Sequence, residues 1–197
     1  MKVFLTNQES RLASLLPDFK NTALSYNDLA LLREKETTVT VPFSATQGDL
    51  SQCKFESLFQ YAVFPRSILI FAAEWERDGR TMKAGDVIVQ QAFLPPFSIS
   101  IKAVFAVRVL EVFHSSTKVG FSYGTLEGHP ESGLSEFYFC LQGGRLLATI
   151  HTYSRSFDKP IGRACVHVAL SKVLHRPSLG TNARDFSDVK PSITISA

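Results

Sequence analysis

His129 and Glu131, separated by Pro130, are the two side chains in this sequence whose types and spacing point most directly to chemistry. An imidazole titrates near neutrality, so His129 is a candidate general acid or base, with Glu131 as its partner or as a second acid-base group. The pair lies in Val119-Gly120-Phe121-Ser122-Tyr123-Gly124-Thr125-Leu126-Glu127-Gly128-His129-Pro130-Glu131-Ser132-Gly133, where a strand passes into a glycine-rich polar connection. That density of glycine, proline and polar residues exceeds what a simple hairpin requires. A structural reading stands beside the catalytic one: the two side chains hydrogen-bond to backbone and fix the loop, with Pro130 locking the turn. A metal site is not expected, because two ligands do not complete one. His-x-Glu also opens the zinc deaminase signature, but the required Pro-Cys-x-x-Cys is absent.

Further candidates surround this pair. Arg108 and Arg155 come from otherwise apolar strands, and a buried guanidinium needs a carboxylate, for which Glu131 and Glu136 are available. Each arginine therefore reads as half of a structural ion pair or as an anion contact. Strand alternation puts Tyr123 on one face with Val119 and Phe121; its hydroxyl either orients a ligand or bonds to backbone within the core. With Thr125, the candidate ligand-binding set is Tyr123, Thr125, His129, Glu131, Glu136, Arg108 and Arg155. Ser154 lacks a nucleophile elbow, and Gly143-Gly144 lacks the helix and lysine of a phosphate cradle. His114, His151, His167 and His175 share no metal spacing. No cofactor is expected.

These residues must be positioned by a sheet. After turns at Asp78-Gly79 and Gly85-Asp86 the hydrophobic period becomes two, giving strands at Val87 to Phe93, Ser98 to His114 (one bent strand or two joined at Lys102), Lys118 to Thr125, Leu134 to Leu141 and Arg145 to Ser156. Gly143-Gly144 reads as a hairpin turn. Upstream, Thr37 to Phe43 is a strand that Pro42 makes an edge or an end. Two short helices follow, one with Phe55, Leu58, Phe59, Ala62 and Val63 and stopped by Pro65, the other with Ile68, Phe71, Ala72 and Trp75. A last helix runs from Asp158 to about His175. Residues 1–36 are irregular or helical, with amphipathic stretches at Glu9 to Leu16 and Asn27 to Glu34 on either side of Pro17, and residues 176–197 form a polar tail.

The whole reads as a single α+β domain over residues 1–197, with its core at 37–175. A curved antiparallel sheet of about six or seven strands packs on a long C-terminal helix, the layout called helix-grip. A closed antiparallel β-barrel with peripheral helices is the alternative.

Composition bounds the function. A chain of 197 residues with 45% hydrophobic and 20% charged residues is too apolar for intrinsic disorder, and sixteen phenylalanines make its core aromatic. A net charge of +3 without charge runs gives no nucleic-acid footprint. The N-terminus lacks a signal peptide's apolar segment, and the uncharged stretch Val87 to Ile101 is too short to span a bilayer. Cys53, Cys140 and Cys165 are too scattered for a disulfide framework and read as buried thiols of a reduced cytoplasmic protein.

Tyr123-Gly124-Thr125-Leu126, Gly128-His129-Pro130-Glu131, Gly133 and Glu136 resemble the YGTLPGHPExGEE signature of the uncharacterised family called domain of unknown function nineteen-ninety. Val107-Arg108-Val109 is similar to that family's "RV" strand and Tyr153-Ser154-Arg155 to its "FSRP" segment, so the resemblance spans roughly residues 55–174. Glu127 and Ser156 stand where the family has proline, and Leu134 and Ser135 lie near its acidic pair. The resemblance implies a small cytosolic domain of the START and birch-pollen-allergen helix-grip type. It brings no established activity.

The functional expectation is a binding module that holds an apolar or amphipathic small molecule between sheet and C-terminal helix, apolar walls meeting a few polar groups. The alternatives are an enzyme on the same scaffold (cyclase, dehydratase or hydrolase-like, with His129 or Glu131 as acid or base) and a structural or protein-interaction domain.

Overall fold

A computed structural model describes residues 1–41, 49–52, 55–64, 66–93, 101–156 and 193–196. In chain order the elements are β1 (Lys2–Phe4), α1 (Leu12–Phe19), β2 (Arg33–Val41), α2 (Glu56–Phe59), β3 (Leu69–Ala73), α3 (Glu74–Arg77), β4 (Val87–Phe93), β5 (Lys102–His114), β6 (Lys118–Thr125), β7 (Glu131–Gln142), β8 (Arg145–Ser156) and β9 (Ile193–Ser196), with single 3-10 turns at Glu9–Arg11, Leu29–Leu31 and Leu50–Gln52.

The period-two alternation folds as a meander. Strands β3 to β8 pair in sequence order, and β2 then joins β8 with β9 beyond it. All pairings are antiparallel, and the end strands β3 and β9 do not meet, so the sheet is open. The edge of β5 that faces β6 over Val107 to His114 faces β1 over Lys102 to Val104. Between β7 and β8, Gly143 and Gly144 take φ of 56° and 74°, the left-handed pair that matches strand twist in a two-residue hairpin. A bulge between Val109 and Glu111 shifts the β5–β6 register by one residue. Without it the alternation of β5 would fall out of phase with β6.

Two cores use the two faces. Phe121, Tyr123, Phe137 and Ile150 from β6 to β8 join Ile88, Val107 and Val109 on one face, closed over by Leu58, Tyr61 and Val63 around α2 and by Trp75 of α3. On the other face, Leu12, Leu16 and Phe19 of α1 bury against Ile70, Val87, Val89, Val104 and Ala106. β4 is therefore buried on both sides.

Several expectations are corrected. The second predicted helix, with Ile68, Phe71, Ala72 and Trp75, is instead β3 followed by the single turn of α3. A short run that is apolar at every position carries no decisive period, and the pairing of Leu69 to Ala73 with β4 settles it. The first helix stops after Phe59, because Tyr61 takes a left-handed φ of 57° that a helix does not accommodate. Pro17 does not divide the N-terminal region at a boundary: it sits inside α1, held there by the burial of Leu12, Leu16 and Phe19. The second stretch, Asn27 to Glu34, is a 3-10 turn leading into β2, which begins at Arg33 and lies between β8 and β9; of the two readings of Pro42, the strand end holds, since β2 stops at Val41, and the edge does not. Among the described residues the sheet has nine strands, more than the six or seven read from alternation. Among the described residues the sheet does not close into a barrel. The predicted C-terminal helix, Asp158 to His175, lies outside the described residues, as do Phe43, Cys53, Pro65 and Cys165.

Candidate functional site

The β6–β7 connection is built by backbone bonds that its side chains complete. Thr125 is buried at the end of β6; its Oγ1 accepts from the Gly133 amide at 2.8 Å and donates toward the Gly133 carbonyl at 3.0 Å. Ser25 lies alongside, its amide donating to the Thr125 carbonyl at 2.9 Å and its hydroxyl 2.5 Å from Thr125 Oγ1. Beyond Thr125 the chain reverses at Leu126 to His129, where the His129 amide donates to the Leu126 carbonyl at 3.0 Å and Gly128 has φ of 82°. This is the pattern of a type II turn, in which the third residue needs a left-handed backbone. Glu127 takes the second position, where proline is favoured and not required.

His129 packs its ring edge-on against Phe105, with centroids 4.4 Å apart. Its Nδ1 is 2.8 Å from the Glu131 carbonyl oxygen and 3.0 Å from the Glu131 amide nitrogen. Either neutral tautomer therefore finds a partner: a protonated Nδ1 donates to the carbonyl, an unprotonated one accepts from the amide. Burial drives the His129 pKa down to about 3, because the charged imidazolium loses its hydration. The Glu131 carboxyl is pushed above its usual range by the same cause. The connection thus holds a neutral histidine beside a carboxyl that resists ionisation.

The other candidates disperse from this point. Tyr123 stays on the aromatic face, stacked near Phe137 and Phe121 with centroids 5.6 and 6.4 Å away and meeting Tyr61 edge-on at 6.1 Å. Glu136 lies on the opposite face, 3.7 Å from His151 Nδ1 and 3.9 Å from Lys118 Nζ. His151 in turn contacts Glu34 at 2.7 Å, and the Tyr153 hydroxyl donates to the same carboxylate at 3.1 Å. These two bonds hold Glu34 below the usual carboxylate range.

Arg108 meets neither Glu131 nor Glu136. Its Nη2 donates to the carbonyls of Lys20 at 2.8 Å and Thr22 at 2.9 Å, with that of Phe19 at 3.5 Å, at the C-terminal end of α1. There a cation satisfies orphan carbonyls and the negative end of the helix dipole. Arg155 is exposed near the end of β8, opposite Ser132 in the pairing with β7. The structure thus brings together Thr125, His129 and Glu131, sets Tyr123 on the adjoining aromatic face, and places Glu136, Arg108 and Arg155 elsewhere.

Sequence reasoning missed a buried polar set. Gln90 Nε2 donates to the Tyr61 hydroxyl at 2.6 Å, while Gln91 Oε1 accepts from the Gln8 amide at 2.6 Å and Gln91 Nε2 donates to Asn7 Oδ1 at 3.0 Å. The signal was present: two adjacent amides in an apolar strand must each find partners if the strand is buried on both faces. On the aromatic face, Leu58, Val63, Phe137, Ala148 and Ile150 line a cavity of about 10 Å³, the space of roughly one water. The predicted cavity between sheet and C-terminal helix involves residues outside those described.

Among the described residues no group of three or more His, Cys, Asp or Glu side chains converges as metal ligands. No helix among them is long and apolar enough to cross a membrane. Cys140 is half-buried, and burial pushes its thiol pKa up.

Comparison with known proteins adds a family. The model of the family described as Domain of unknown function (DUF1990) matches residues 48–176. Among solved structures, the crystal structure of DR_A0006 from Deinococcus radiodurans is similar to this chain with a TM-score of 0.40 and 12% identity, over 73% of this chain and 95% of that one. No curated protein matches.

Proposed function

The chain belongs to the family Domain of unknown function (DUF1990), and from that premise we propose that it binds an apolar or amphipathic small molecule against the aromatic face of its sheet. One observation carries the reading: the rings of Phe121, Tyr123 and Phe137 lie stacked across β6 and β7, with Tyr61 edge-on to Tyr123. The same face continues to Phe105, where His129 is seated and Glu131 follows, so an apolar wall ends in polar groups. A helix-grip arrangement, with the segment Asp158 to His175 as a helix closing the site, belongs to this proposal. The strand order supports it, since β2 crosses over to extend the meander beyond β8.

Native mass spectrometry of the full chain after gentle purification tests the proposal. The expected result is a second species heavier by one small molecule and stripped by organic solvent. A spectrum of bare protein from several expression hosts, together with no uptake of an added apolar dye, overturns it.

A second reading, a structural or interaction domain, draws on the bonds of the signature residues to protein backbone: Thr125 to Gly133, His129 to Glu131, Arg108 to the end of α1. The enzymatic alternative keeps Glu131 as its better candidate acid, since a carboxyl raised by burial holds its proton closer to neutrality.

A further inference from the structure

Strand β1 is short and thinly covered: it pairs with β5 alone, and both Lys2 and Val3 are exposed. Its two faces differ. Phe4 packs with the residues around α1, and Lys2 turns to the same side, where its Nζ meets the Asp18 carboxylate at 2.9 Å and lies over the Phe19 ring. Alternation puts Met1, Val3 and Leu5 on the other side, where Leu5 comes opposite Ile101, one step beyond the Phe4–Lys102 pair. Met1, Val3, Leu5 and Ile101 are 48%, 55%, 81% and 45% exposed. The other large apolar side chains left so bare among the described residues, Leu29 and Leu31, belong to the turn before β2.

A free strand edge presents unpaired N–H and C=O groups that template pairing with another chain, so proteins guard edges with charge, proline or a covering element. On β1 the single charge is drawn toward Asp18, and no strand among the described residues pairs with the edge away from β5. We propose that β1 is a docking edge for a second copy of this chain, two β1 strands pairing antiparallel across a two-fold axis at Val3. Centred there, Val3 faces its own copy, Met1 faces the partner's Leu5, and Lys2 faces the partner's Phe4. Apolar groups then meet apolar groups and no like charges stand opposed, so the strand is complementary to itself. The pairing occupies the same edge on both copies, and association stops at two. The bare side chains supply less than the ~800 Å² per partner of a standard interface, which makes the dimer weak and dependent on concentration.

Sedimentation velocity of the full chain between about 5 and 500 µM tests this. The expected result is a shift from monomer to dimer with concentration and no larger species. Val3→Lys sets two ammonium groups against each other at the axis and should keep the chain monomeric throughout, with an unchanged thermal melt because the side chain is exposed. Leu31→Lys, at a bare apolar position outside the patch, should dimerise as the natural sequence does. Val3→Cys reads the register: directly opposed residues bring their Cα atoms within disulfide reach, so mild oxidation should yield a covalent dimer that Leu31→Cys does not form. Should Val3→Lys fail to fold, the dilution series and the cross-link decide. A monomer at every concentration, a dimer that Val3→Lys leaves intact, or no cross-link through Val3→Cys overturns the proposal. An associated species whose mass is not twice that of the chain overturns the second copy as occupant.

Discussion

At pH 7 His129 is neutral, because burial holds its pKa at about 3 against an ordinary 6.5. The unfolded chain takes up a proton below pH 6.5 that the folded chain refuses, so stability falls as pH drops from 6.5 toward 3. The slope from this site is about 1.4 kcal/mol per pH unit within that window. Glu131 opposes it near and above its unfolded value of 4.5: its folded pKa is raised, so the folded state holds its proton longer and gains stability as pH falls through that range. Urea melts from pH 7 to pH 5 are expected to show the loss in the natural sequence. The same melts of His129→Phe, which keeps a ring against Phe105, should show about 1 kcal/mol lower stability at pH 7 from the lost loop bond, with a visibly flatter pH dependence. Identical slopes for the two chains would remove burial of His129 as the cause. The motif was legible in the sequence at this scale, including its loop-fixing reading; the direction of the pKa shift was not, since it depends on Phe105, a strand away.

Arg108 shows why pairings were harder to read than positions. Its place in an apolar strand was evident, and a carboxylate partner was the natural inference, yet its partners are the carbonyls that end α1. Replacing Arg108 by Met should cost about 2 kcal/mol, the scale of charge-assisted hydrogen bonds, and should raise amide exchange in Leu12–Phe19 before the rest of the sheet. Exchange that rises uniformly would mean that Arg108 does not dock the helix. Two glycines divide by cause in the same way. A Cβ on Gly133 would lie 1.9 Å from the Tyr153 carbonyl oxygen and 2.8 Å from Ser154 Cα, so β7 and β8 must part. A Cβ on Gly143 meets nothing within 4 Å, and only its φ of 56° is strained. Thermal melts should therefore find Gly133→Ala costing about 3 kcal/mol or more and Gly143→Ala about 1 kcal/mol. Comparable losses would contradict the close approach of the strands.

At the scale of the whole molecule, stability depends on a sheet buried on one face by aromatic rings and on part of the other by α1. Phe121 is fully buried at the centre of the aromatic cluster, and Phe121→Ala should cost about 3–5 kcal/mol by denaturant titration, because close-packed neighbours fill only part of the space left. A loss below about 1 kcal/mol would mean that the rings are loosely packed. By itself the sequence determined the succession of strands between Val87 and Ser156, the Gly143-Gly144 hairpin, the single-face placement of Val119, Phe121 and Tyr123, and the family signature, because alternation and turn chemistry are local properties of the chain. Tertiary structure alone decided that Leu69 to Ala73 is a strand, that β2 lies inside the sheet, and that Arg108 caps a helix. Each of these depends on which distant segment supplies the neighbour, and nothing in a local period specifies that segment.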